Sequence, residues 1–183
     1  KRKKTEKFVL NGFLIEDDKN VSKRLEFRNW DRFMHPLNMI PEASVQNNFF
    51  QFMIGNTDFS TAYSHNGKLL VNKENKFIPV PYDFDMSGIV DPSYAVSNEV
   101  LGLKSIQERK YRGFKRDESV VYLVRDQFLY NKDKLINIIN GFKADFDNPN
   151  SHQEVVDYIN SFFEIIEDDK RFKSDIIAQM RTK

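Results

Sequence analysis

At 183 residues the chain has room for one domain with a real core, and its 17 phenylalanines recur at helical spacing, as in a packed interior. Lysine plus arginine number 28 against 27 for aspartate plus glutamate, which points to neither nucleic acid nor a membrane surface as partner. The lack of cysteine excludes disulfides, thiol catalysis and Cys-based metal sites, and no run of 18 apolar residues offers a spanning helix.

The basic start, KRKKTEK, reads as a solvated terminus rather than an anion-binding patch. A strand-like run follows so soon after Lys1 that further protein is expected upstream. Residues 7–16 are rich in Phe, Val, Leu and Ile around the turn signal Asn11-Gly12, which predicts a strand or the remnant of a hairpin. Asp17-Asp18 supplies N-cap chemistry for a short helix over residues 19–26. An aromatic, irregular stretch then leads to Pro41, which suits the first turn of a helix, and Val45, Phe49, Phe52 and Met53 continue at spacings of four, three and one. Gly55 is the expected left-handed stop. Two short strands, residues 68–71 and 77–80, make a hairpin in which Pro79 and Pro81 demand an edge position. Residues 86–103 read as loop. Helices are predicted over 117–130, 132–142, 151–168 and 174–180, the third with a wide apolar stripe. The class is α+β and helix-dominated, residues 1–183 forming one domain of which 117–183 is the helical part.

The chemistry concentrates between Phe50 and Asp85. Asp58 ends the polar turn Gly55-Asn56-Thr57, Asn66 precedes a glycine and a strand, and Asp83 and Asp85 follow another strand. Oxygen ligands spread over the ends of such segments suit Mg²⁺ or Mn²⁺ better than zinc. Phosphoryl transfer of the kinase kind needs a carboxylate at the acceptor hydroxyl, an Asn holding a metal, and an Asp bridging metal to phosphates. Asp58, Asn66 and Asp83 stand in that order.

The motifs IGNTD, HN and PYDFD resemble the catalytic half of protein-kinase-like enzymes of the HipA type and the CotH type. With FLIED, KR and YRGFKR they also resemble an uncharacterised group common in Bacteroidetes, over residues 13–116. The resemblance implies the helix-dominated C-terminal lobe of a protein-kinase-like fold with a small central β-hairpin. It implies a metal-dependent ATP phosphotransferase, with Mg²⁺ or Mn²⁺ and ATP as cofactors and an unidentified hydroxyl acceptor, protein or small molecule. Asp58 would be the catalytic carboxylate, Asn66 and Asp83 metal and nucleotide ligands, and Asp85 a further ligand. The Asp58–Asn66 spacing is eight residues where kinase loops have five, so the loop should bulge. No Gly-rich loop or strand lysine with a helix glutamate is visible, so an ATP lobe is expected upstream of Lys1.

Each residue also has a plainer role. Asp58 would serve as an ordinary turn residue, and Asp85 as a cap for the chain after it. His65, beside Asn66, would orient it, contact the acceptor, or simply hydrogen-bond its own loop. The basic run Arg109-Lys110-Tyr111-Arg112, with Lys115 and Arg116, would clamp phosphate or tie loops together. Trp30, Phe27 and Phe33 read as satellite core rather than a stacking platform. Two other functions stay open: a non-catalytic binding or assembly module on a kinase-like scaffold, and a phosphoesterase using Asp83 and Asp85.

Overall fold

The computed structural model describes Gly12 and residues 14–182. The strand expected over 7–16 lies mostly outside those residues, and Leu14 to Glu16 are irregular and exposed. Helix α1 (Asp18–Arg24) begins where the Asp17 carboxylate accepts from the Lys19 N–H at 3.0 Å. Asp18 in its first turn and Lys23 and Arg24 in its last complement the helix dipole.

Helix α2 (Pro41–Ile54) runs from Pro41 to Gly55, whose φ of 66° is the left-handed stop the sequence demands. Strands β2 (Gly67–Val71) and β3 (Phe77–Pro81) form the central hairpin, with Lys68 opposite Val80 and Leu70 opposite Ile78. A third strand, β1 (Arg28–Asn29), pairs antiparallel with β2, giving the order β1-β2-β3. At two residues it is too short to show an alternating pattern, so sequence periodicity missed it. The order leaves β3 at an edge, where the N–H groups that Pro79 and Pro81 lack are not required by a neighbouring strand.

The pleat divides the hairpin into two faces. Leu69, Val71 and Phe77 pack with Met39, and Trp30 lies edge-on to Phe77 with ring centroids 5.3 Å apart. Trp30 is therefore satellite core, whereas Phe33 is exposed and leans on Tyr63. The opposite face carries Lys68, Leu70 and Val80 towards a cleft.

The C-terminal part consists of α3 (Glu118–Tyr130), α4 (Lys132–Gly141), α5 (Pro149–Glu167) and α6 (Asp169–Asp175). The sequence predicts the last helix over 174–180. Instead Asp168, accepting from the Arg171 N–H at 2.7 Å, starts α6 one residue after α5, and only a 3₁₀ turn occupies Ile177–Gln179. The shift seats Phe172 and Ile176, both fully buried, in the main core. That core joins Val45, Phe49 and Phe52 of α2 to Val121 and Val124 of α3 and to Ile159, Phe162 and Ile166 of α5. The described residues are thus α+β and helix-dominated, with a small three-stranded antiparallel sheet against α2.

Candidate functional site

Two loops meet at the C-terminal end of α2. After Gly55, Asn56 turns its side-chain oxygen to the Asp58 N–H at 2.8 Å, an Asx turn that sets the Asp58 backbone. Asn56 is 2% exposed, and its side-chain amide donates to the Asp83 carbonyl at 3.4 Å. Its backbone bridges Ser87, while Gly88 N–H donates to the Gly55 carbonyl. One asparagine therefore couples the Asp58 turn to the Asp83–Ser87 loop.

The Asp58 carboxylate is held at both oxygens. His65 Nε2 lies 3.0 Å from Oδ1, and Asn66 Nδ2 donates to Oδ2 at 2.9 Å and to the Asp58 backbone carbonyl at 2.7 Å. All of these Asp58 oxygens are acceptors, so the nitrogen end of the Asn66 amide must face them and its oxygen is left for other partners. By the same argument Nε2 of His65 carries the hydrogen whenever Asp58 is ionised. Asn66 sustains a φ of 51°, a conformation asparagine tolerates better than most residues.

The eight-residue spacing is spanned by a small hairpin. Ser60 and His65 exchange backbone hydrogen bonds of 3.1 and 3.0 Å, so Thr61 to Ser64 loop out as its tip. The extra residues are thereby absorbed without moving His65 or Asn66 away from Asp58.

Asp83 and Asp85 lie beyond the end of β3, in a turn rather than on a strand. Both nevertheless line one cleft of about 950 Å³. Val21, Leu70, Val80 and Phe84 make its apolar walls, and Leu14 to Asp18 close another side. Among the described residues Lys68 is the one cation lining it, and it pairs with Asp18 at 3.4 Å. Asp85 accepts from the Tyr94 hydroxyl at 3.3 Å, and burial, followed by the charges of Asp85 and Asp83, raises the Tyr94 phenol above its ordinary pKa. Asn66 and Asp83 are near neighbours across the hairpin, because Tyr82 N–H donates to the Asn66 carbonyl at 3.4 Å. Among the described residues no group of three or more His, Cys, Asp or Glu side chains is placed to hold a metal ion. Asp83 and Asp85 line this cleft, whereas Asn66 lines a separate, smaller one with Ser60 and Gly67, so the three expected metal ligands do not share one cavity.

The basic run ties loops together. Arg109 donates to the carbonyls of Met53 and Tyr158 and to Ser161 Oγ, with its guanidinium 3.7 Å from the Tyr158 ring centroid. Arg116 donates to the carbonyls of Pro36, Leu37 and Met39. Arg112 donates to the carbonyls of Thr57 and Phe59, the two neighbours of Asp58, and its guanidinium lies 5.1 Å from the Phe59 ring centroid. Burial lowers the pKa of Arg112 and the nearby Asp58 charge opposes that shift. Sequence reasoning placed Arg112 in a basic run and Asn56 in a polar turn without tying either to Asp58, and it did not single out Tyr158. Only Asn56 carried a local signal, the Asn-x-Asp turn after a helix-stopping glycine.

With this geometry established, comparison with known proteins adds no relative: no family model, no curated protein and no solved structure matches the chain.

Proposed function

We propose that the chain is the catalytic region of a metal-dependent, ATP-using phosphotransferase acting on a hydroxyl acceptor. The observation that carries the reading is Asn66, whose side-chain amide donates to the Asp58 carboxylate and backbone carbonyl while its own backbone carbonyl accepts from Tyr82, the residue before Asp83. In this reading Asp58 orients the acceptor hydroxyl and takes its proton. His65 and Asn66 keep the Asp58 carboxylate in one rotamer, and Arg112 fixes the backbone on either side of it. Asp83 and Asp85 would hold Mg²⁺ or Mn²⁺, which supplies charge neutralisation for the phosphates. The apolar walls of the neighbouring cleft suit a nucleotide base, and Lys68 suits its phosphates. A kinase-like fold belongs to the same proposal.

The test is thermal unfolding with Mn²⁺ and ATP, comparing wild type with Asp83→Ala and Asp58→Ala. Ligand at about 100 times its dissociation constant stabilises by roughly 2.7 kcal/mol, a shift of about 5–10 °C for a domain of this size. The shift should vanish in Asp83→Ala and persist in Asp58→Ala, whose phosphoryl transfer should be lost. Equal shifts in wild type and Asp83→Ala, or none in wild type, would overturn the reading.

One observation favours a second reading, a binding or assembly module without catalysis. Arg109, Arg112 and Arg116 are committed to backbone carbonyls, so the cleft is lined by Lys68 against Glu16, Asp17, Asp18, Asp83 and Asp85. A metal-independent preference for cationic ligands over ATP would support that module.

A further inference from the structure

Arg112 spends only one of its guanidinium nitrogens on the protein. Nη1 donates to the carbonyls of Thr57 and Phe59, on either side of Asp58. The Nε–Nη2 edge bonds no described residue, and neither atom is buried, so that edge faces solvent. This is the edge of a guanidinium that takes an oxyanion through two parallel bonds. Arg24 shows the mode in the same protein, gripping Glu16 through Nε at 3.3 Å and Nη2 at 2.7 Å.

A second guanidinium is brought beside the first. The Arg181 N–H donates to the Gly113 carbonyl at 2.9 Å, and the Arg181 carbonyl accepts from the Lys115 N–H at 2.8 Å. That pairing seats the Arg181 guanidinium 4.3 Å from the Phe114 ring centroid. Partial burial, and then the charge of Arg112, lower the Arg181 pKa, as expected of two like charges at close range. Carbonyl partners satisfy N–H groups but carry no net charge. Among the described residues neither Arg112 nor Arg181 forms an ion pair with a carboxylate. Asp58 supplies one nearby negative charge, and its two oxygens are already engaged by His65 and Asn66.

We propose that Arg112 and Arg181 form an oxyanion site beside Asp58, and that the acceptor is a hydroxyl compound carrying a phosphate or carboxylate group. The anion takes the open edge of Arg112 and reaches Arg181, which relieves the like-charge contact between the two. Because Arg112 is tied to the carbonyls on either side of Asp58, an anion held there brings its own hydroxyl towards the Asp58 carboxylate. Lys68 lines the separate cleft of Asp83 and Asp85, so acceptor and nucleotide each have their own cation. The anion site follows from the arginines alone; its assignment to the acceptor rests on the reading of Asp58 given above.

The test is NMR titration of the ¹⁵N-labelled chain at an ionic strength held constant with chloride. Inorganic phosphate should shift the Arg112 and Arg181 Nε–H signals saturably, and Arg181→Gln should weaken its binding about tenfold. Arg181 is exposed, so this variant should keep the fold. Glycerol 3-phosphate and glycerate should also shift the His65 and Asn66 backbone amides, and the tighter of the two identifies the anion. Asp83→Ala, which removes nucleotide-induced stabilisation in the reading above, should leave phosphate binding unchanged, so the two proposals fail separately. Wild-type shifts no larger than chloride alone produces, or equal phosphate affinity in wild type and Arg181→Gln, would overturn the anion site. Glycerol 3-phosphate and glycerate that bind without moving His65 and Asn66 would overturn its assignment to the acceptor.

Discussion

Tyr158 stands between the two loops of the candidate site, and the glycines there can be used to measure how tightly. A Cβ on Gly55 would penetrate the Tyr158 hydroxyl, and it would lie 3.1 Å from Tyr158 Cζ and 3.3 Å from the Gly88 Cα. Gly55 also holds φ at 66°, where an L-residue costs about 1–2 kcal/mol. Tyr158 cannot swing aside freely, because its hydroxyl donates to the Gln107 carbonyl at 3.0 Å and its ring stacks on Arg109. Overpacking of this kind costs about 1–3 kcal/mol, so Gly55→Ala should destabilise by roughly 2–4 kcal/mol. Removing the hydroxyl in Tyr158→Phe relieves the worst overlap and leaves the φ strain. In that background Gly55→Ala should cost only about 1–2 kcal/mol, a coupling of about 1–2 kcal/mol. The assay is urea unfolding of the four members of the cycle, with midpoints converted at a common slope. Costs that add to within about 0.3 kcal/mol would refute the claim that Tyr158 is wedged between the loops.

Asn56→Ala should cost about 2 kcal/mol in urea unfolding, because it strips a partner from the Asp58 N–H and from the Asp83 carbonyl. It should also abolish any nucleotide-induced stabilisation, since it uncouples the two loops. Arg109→Lys should destabilise by about 2 kcal/mol, since an ammonium cannot reach the Met53 and Tyr158 carbonyls and Ser161 as the planar guanidinium does; denaturant midpoints measure it. The Tyr111 hydroxyl is buried and has no hydrogen-bond partner among the described residues, and burial raises its phenol pKa well above 10.0. Below pH 10 both folded and unfolded states keep this proton, and above it the unfolded state ionises first, so stability should fall as pH rises through and beyond 10. Tyr111→Phe should blunt that alkaline loss and be neutral or slightly stabilising at pH 7, as read from unfolding midpoints across pH.

Much of this architecture follows from local chemistry. Pro41 and Gly55 bound α2 because one residue suits a first turn and the other a left-handed end, and neither property needs a neighbour. Asp17 as a cap, the hairpin and the stripe on α5 are legible for the same reason: a cap, an alternation or a period repeats within a few residues. The order Asp58, Asn66, Asp83, Asp85 was also visible, together with the need for a bulge between the first two. Which of these groups touch was decided only by the tertiary structure. The nitrogen end of Asn66 turns to Asp58 because the Ser60–His65 pairing folds the intervening chain out of the way. The arginines between 109 and 116 have the composition of a phosphate clamp, yet they serve as caps for carbonyls of residues more than 45 positions away. β1 exists only because β2 offers it an edge, and α6 starts at Asp169 because Phe172 and Ile176 find the core there. A residue's own chain neighbourhood determines the conformation it can adopt. The partner it meets depends on distant segments brought together by burial, and that is where this protein's candidate site is made.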